Sequence, residues 1–86
     1  MDPHKVIRYP LMGEKATMLR EKENKLSFIV SSESTRKDVK EAIESLYSVK
    51  VVRVHSMNTV QGNKKVHVKL APEFSAEEVA SHFGVL

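Results

Sequence analysis

Two histidines set among cations are the side chains best placed to do chemistry in this chain. Arg53 and His55 alternate along one short stretch, and Lys65, His67 and Lys69 alternate along a later one. Imidazoles can hold a metal or move a proton, but both tasks need partners. His4, His55, His67 and His82 stand in no metal-ligand spacing such as HExxH. His55 and His67 could be neighbours, yet the chain has no cysteine and that face supplies no carboxylate, so no metal site is expected. The serines lack the sharp strand-to-helix context of a nucleophile, and the glycines are too scattered for a phosphate loop. Glu77 and Glu78 read as acids that favour a helix N-terminus. No catalytic residue and no cofactor is therefore expected.

What remains is electrostatic. Arg53, Lys65 and Lys69, with His55 and His67, form one basic patch. Arg36, Lys37 and Lys40 form a second at a helix start, where free backbone N–H groups also favour phosphate. The net charge is only +3, but its distribution is uneven. All 14 Lys and Arg precede residue 71, while Glu73, Glu77 and Glu78 follow it. A basic body with an acidic tail suggests a polyanion on one side and a different partner on the other. The competing reading is a solvated face, since lysines on edge strands guard against aggregation.

Those cations must be positioned by short elements. At 86 residues the chain is one domain, residues 1–86, with a small core and modest stability of its own. No apolar run reaches a transmembrane length and the N-terminus lacks a signal core, so a soluble, unprocessed protein is expected. A first strand is predicted near Val6–Arg8, ended by Tyr9-Pro10. A helix follows over 14–22, with Gly13 as N-cap and Met12, Ala16 and Leu19 as a narrow apolar stripe. Residues 25–30 alternate as a strand with Leu26, Phe28 and Val30 on one face. Thr35 and Asp38 suggest a capping box opening a helix that runs to Tyr47. Val39, Ala42, Ile43, Leu46 and Tyr47 form its buried stripe.

Residues 50–59 and 64–70 are predicted as a hairpin turning at Gln61-Gly62-Asn63. Parity favours a three-residue loop. Val54 then faces Leu70, Ser56 faces Val68 and Asn58 faces Val66, with Val52 on the same side. His55 opposes Lys69, Met57 opposes His67 and Thr59 opposes Lys65 on the other. Val49 and Val51 fit this parity poorly. The last helix starts at Ser75, with Glu78 in a capping box, a Phe74–Val79 staple and Gly84 closing it. The order β-α-β-α-β-β-α predicts an α+β fold: a small sandwich, ferredoxin-like, with a mainly antiparallel four-stranded sheet and a short first strand. Phe28, Tyr47, Phe74 and Phe83 fall on core positions, so the sheet offers no aromatic platform of the RNA-recognition-motif kind. Backbone and shape recognition of RNA is the expectation.

Taken in order, IRYPLMGEKATML, NKLSFIV, TRKDVKEAIESLYSVKVVRVHSM and GNKKVHVKL resemble the ribosomal protein L23 family of the large subunit, over nearly the whole chain. The short turn at 61–63 and the short N-terminus resemble compact archaeal members. Gly13 departs from the Ser or Thr usual at that cap. The resemblance implies a cytoplasmic, ribosome-bound protein, monomeric there, that binds large-subunit rRNA near the polypeptide exit tunnel beside neighbouring ribosomal proteins. It places RNA contact on Lys15, Lys25, Arg36, Lys37, Lys64, Lys65, His67 and Lys69, to which the basic patch adds Arg53. It places docking of exit-site factors, such as the signal recognition particle, on Glu14, Tyr47 and Ser48. It implies no membrane partner, and the short turn implies no reach to the nascent chain. The alternative is a free-standing ferredoxin-like interaction or regulatory module.

Overall fold

Alternation along two central strands decides where the core forms. In the computed structural model, which describes residues 2–83, β2 (Lys25–Val30) and β4 (Lys64–Leu70) pair antiparallel. Leu26 faces Val68 and Phe28 faces Val66, which stacks their apolar side chains on one surface. β3 (Val51–Asn58) flanks β4, and β1 (Ile7–Pro10) flanks β2, giving the antiparallel order β1-β2-β4-β3. The helix α3 (Arg36–Tyr47) carries the chain from β2 across to β3, and β4 returns into the gap between them. That split βαβ arrangement is the ferredoxin-like device, with the fourth strand here supplied from the N-terminal side. The expected α+β class holds.

The inner sheet face is closed by two helices. α3 lays Val39, Ala42 and Ile43 onto it. Thr35 Oγ1 accepts from the Asp38 N–H at 3.1 Å, and Asp38 Oδ2 accepts from the Thr35 N–H at 3.0 Å. That backbone bond is the main reason the Asp38 carboxyl is held below its usual range. α4 (Ala76–Ala80) is capped by Ser75, whose Oγ accepts from Glu78 N at 3.2 Å, and it buries Ala76, Val79 and Ala80. Phe28 stands among the aromatic rings, 6.1 Å from Tyr47 and 5.7 Å from Phe83, with those two 5.5 Å apart. The proposed closing glycine, Gly84, lies outside the described residues.

Three local features depart from the sequence expectations. Residues 3–6 form a helical turn, α1, and not the start of a strand. Asp2 accepts from the His4 N–H and Pro3 occupies the first turn, where its missing donor costs nothing. The turn drops Val6 into the core, and the strand begins at Ile7.

The hairpin pairing is shifted by two residues. Val54 faces Val68, Ser56 faces Val66, His55 faces His67 and Met57 faces Lys65. The loop has three residues as expected, but they are Val60–Gly62. It is closed by Thr59 N–H to Asn63 O at 2.9 Å and by Gly62 N–H to Thr59 O at 3.1 Å. Only glycine takes the left-handed position of this loop cheaply, and Gly62 has φ 81°. The turn therefore centres one residue earlier and leaves Val60 99% exposed. An even shift keeps every side chain on its predicted face.

A bulge at the start of β3 corrects the third expectation. Val51 pairs with Leu70 and Arg53 with Lys69, so Val52 is extra. Val51 enters the core and Val52 is 55% exposed, the reverse of the predicted parity. Glu44 of α3 secures the bend by accepting the Val51 N–H at 2.8 Å.

α2 (Glu14–Glu23) forms where expected and sits on the opposite, outer face. Ser27 and Ile29 alternate outward yet are buried, and Ala16 of α2 is buried with them. Asn24 ends α2 in the left-handed conformation, φ 56° and ψ 41°. Its Nδ2 donates to Phe74 O at 2.9 Å and its Oδ1 accepts from Ala76 N at 2.7 Å. Asn tolerates this backbone and can serve both a donor and an acceptor. Asn24→Ala is expected to destabilise the fold by about 2 kcal/mol, because two backbone groups lose their partner. Urea denaturation reads this directly, and Asn24→Asp, which keeps the acceptor, should recover part of the loss.

Candidate nucleic-acid interface

The outer face is read row by row across the strands. One row holds Lys25, Lys69 and Arg53 directly opposite one another. The next holds Ser27, His67 and His55, and the third holds Tyr9, Ile29, Lys65 and Met57. Cross-strand neighbours approach to about 5 Å, and like charges directly opposite are destabilising. The first row has one carboxylate against it, Glu23, 2.9 Å from the Lys25 Nζ. Lys25 is the main reason the Glu23 carboxyl sits below its usual range, with Lys69 and His67 adding to it. The face thus holds more cations than its own acids offset, which favours any polyanion that meets it.

His67 lies at the centre. Its Nδ1 is 2.7 Å from Ser27 Oγ, and which atom donates follows the tautomer. Its ring lies 6.5 Å from that of His55, nearly parallel. Burial pushes the His67 pKa down, and Lys65, Lys15, His55 and Lys25 push in the same direction. The N-terminal turn of α2 overhangs it. Leu11, Glu14, Lys15 and Ala16 meet Ser27, Lys65 and His67 around a cavity of about 270 Å³.

The lowered His67 pKa has a measurable consequence for the free protein. The unfolded imidazole takes a proton near its ordinary value of about 6.5, while the folded one resists until lower pH. The unfolded state then binds more protons, so stability falls as pH drops through that window. Denaturation midpoints taken from pH 7.5 down to 5.5 should decline, and His67→Gln should remove this component.

The structure gathers some of the expected contact residues and separates others. Lys25, Arg53, Lys65, His67 and Lys69 share the outer face, and Lys15 joins them across the cavity. Arg36 and Lys37 lie in the first turn of α3, in the inner layer. Lys64 alternates inward and its Nζ donates to Ser34 O at 2.6 Å, beside the start of α3. Lys64, Arg36 and Lys37 therefore form a second region, not an extension of the first. The docking residues divide similarly. Glu14 is exposed on the first turn of α2. Tyr47 stacks into the core from the far side, where burial raises its hydroxyl pKa, and Ser48 ends α3 in a left-handed conformation.

Two participants were missed by sequence reading. Ser27 was an outward position in a strand and became the buried partner of His67 only because α2 covers it. Tyr9, the one Phe or Tyr not assigned to the core, is 50% exposed at the edge of the outer face. Among the described residues no three His, Asp or Glu side chains gather in a form that could hold a metal. No described helix is long and apolar enough to cross a membrane.

The fold and this face define a class: a compact α+β domain with a cation-rich sheet surface partly covered by one helix. Comparison of sequences makes the class specific. The profile of the family described as Ribosomal protein L23 matches residues 5–77. A protein named large ribosomal subunit protein uL23 from Methanothermobacter thermautotrophicus is 46% identical over 85 residues, covering 99% of each chain. A protein of the same name from Methanococcus vannielii is 41% identical over 85 residues, again covering 99% of each. The chain belongs to the ribosomal protein L23 family, whose members are ribosomal structural proteins and not enzymes.

Proposed function

We propose that this protein is a structural constituent of the large ribosomal subunit, in the cytoplasm, holding large-subunit rRNA near the exit tunnel through phosphate contacts on the outer sheet face. The observation that carries this reading is the cation row Lys25–Lys69–Arg53, with Lys65 and Lys15 beside it. The names of the archaeal relatives support the same assignment. Arg36 and Lys37 offer a second contact region to a neighbouring rRNA segment or ribosomal protein, with Lys64 beside them held by its bond to Ser34 O. A phosphate brought to His67 opposes the cations around it, so RNA binding takes up a proton and tightens as pH falls.

A salt titration tests the reading. Affinity for large-subunit rRNA fragments should fall by roughly two to three orders of magnitude between about 50 and 200 mM salt, as expected for five or six phosphate contacts. Affinity that ignores salt would sink it.

Glu14 is the proposed docking residue for exit-site factors such as the signal recognition particle, with Tyr47 and Ser48 at a separate position. Glu14 is solvent-exposed, and its backbone lies in the first helical turn, where an acid favours the dipole. Glu14→Lys is expected to impair recruitment of the factor to ribosomes while leaving salt-dependent RNA binding intact. Joint loss of both in binding assays would assign Glu14 a structural role instead.

A further inference from the structure

Tyr9 is the one Phe or Tyr ring among the described residues that stands outside the core; Phe28 lies within it, and Tyr47, Phe74 and Phe83 pack against it. A backbone irregularity puts it there. Ile7 pairs with Val30, an inward residue, and packs against the core. In a regular strand Tyr9, two residues on, would point the same way. A bulge between Ile7 and Tyr9 reverses this, and Tyr9 pairs with the outward Ile29. Pro10 follows and holds Tyr9 extended. The ring takes part in none of the side-chain hydrogen bonds among the described residues, and its neighbours along the row are Ile29, Lys65 and Met57.

We infer that Tyr9 is a stacking platform for an unpaired RNA base, with Lys65 receiving the phosphate of the same segment. The inference rests on the reading of the outer face as an RNA surface and adds that this surface prefers single-stranded to duplex RNA. Two strand spacings, about 10 Å, separate the Tyr9 and Lys65 backbones. A lysine side chain closes much of that gap, so a base can lie on the ring while its backbone meets the ammonium. Aromatic rings beside a cationic track are how sequence-tolerant single-strand surfaces work. The charge argues for RNA over an apolar protein partner, because Lys65, Lys15 and Lys69 share the face and would be desolvated against an uncharged surface.

The test compares two RNAs of equal length and charge, one a hairpin with an open loop and one a full duplex. Tyr9→Ala is expected to weaken binding to the looped RNA about tenfold, leaving the duplex affinity and salt slope unchanged. Tyr9→Phe should keep the wild-type affinity. The chain has no tryptophan, so Tyr9→Trp supplies a single reporter whose emission should be quenched by the looped RNA and not by the duplex. Equal affinity of wild type and Tyr9→Ala for the looped RNA, with steep salt dependence retained, overturns stacking and leaves phosphate binding in place. Absence of salt-dependent binding to either RNA by the wild type overturns the RNA surface and the stacking together.

Discussion

Lys65→Glu combined with Lys69→Glu should lower affinity for large-subunit rRNA fragments about a hundredfold at 50 mM salt. Each phosphate contact contributes about 0.7 to 0.9 to the slope of log affinity against log salt. From 1 M to 50 mM is about 1.3 decades, so each lost contact removes roughly one decade of binding. The slope itself should shrink by about two, and every RNA sequence should suffer alike, because phosphates carry no sequence. The fold should tolerate the change. Lys69 is exposed and faces Lys25 and Arg53, so a carboxylate there relieves repulsion. Lys64→Glu makes the instructive control. Its Nζ is bonded to Ser34 O on the inner side, so it should cost stability more than affinity for RNA. Fluorescence polarisation across 50 to 200 mM salt decides the matter. Unchanged affinity in a folded double variant would remove the outer face as the RNA surface.

Phe28→Ala is expected to destabilise the free protein by about 3–5 kcal/mol. The side chain is fully buried in β2, opposite Val66, and meets the rings of Tyr47 and Phe83. Truncation leaves a cavity that three elements cannot jointly close. A domain of 86 residues has a total stability of roughly 4–13 kcal/mol. The variant should therefore lose between about a quarter and all of that stability, which circular dichroism and a urea titration would show. Phe28→Leu, which fills more of the space, should cost clearly less. A Phe28→Ala variant with an unchanged urea midpoint would contradict the assignment of this ring to the centre of the core. RNA that binds only the folded form should shift the midpoint back upward.

The elements were legible because local patterns agreed with the global fold. Period-2 alternation in residues 25–30 and 64–70 matched buried Leu26, Phe28, Val66, Val68 and Leu70. Thr35 and Asp38 sit three residues apart, and that spacing alone specifies the reciprocal cap. The outward set Lys65, His67 and Lys69 follows from the same alternation, whatever the pairing, since a two-residue slip changes partners but not faces.

Other features depend on groups distant in the chain. The slip arose because Gly62, not loop length alone, fixes where the turn can centre. The reversal of Val51 and Val52, and the outward turn of Tyr9, come from bulges, which alternation cannot foresee because they insert one residue into the count. Burial of Ser27 and the lowered pKa of His67 require α2 to cross the outer face and carry Lys15 towards it.

By itself, then, the sequence determined the strands, the caps, the apolar surface and the sign of charge opposite it, because these are set within a few residues by backbone geometry and side-chain period. Tertiary structure alone decided which cations meet and that Tyr9 faces outward with them. Register, bulges and helix placement are settled by packing between segments far apart in the chain, where no local pattern reaches.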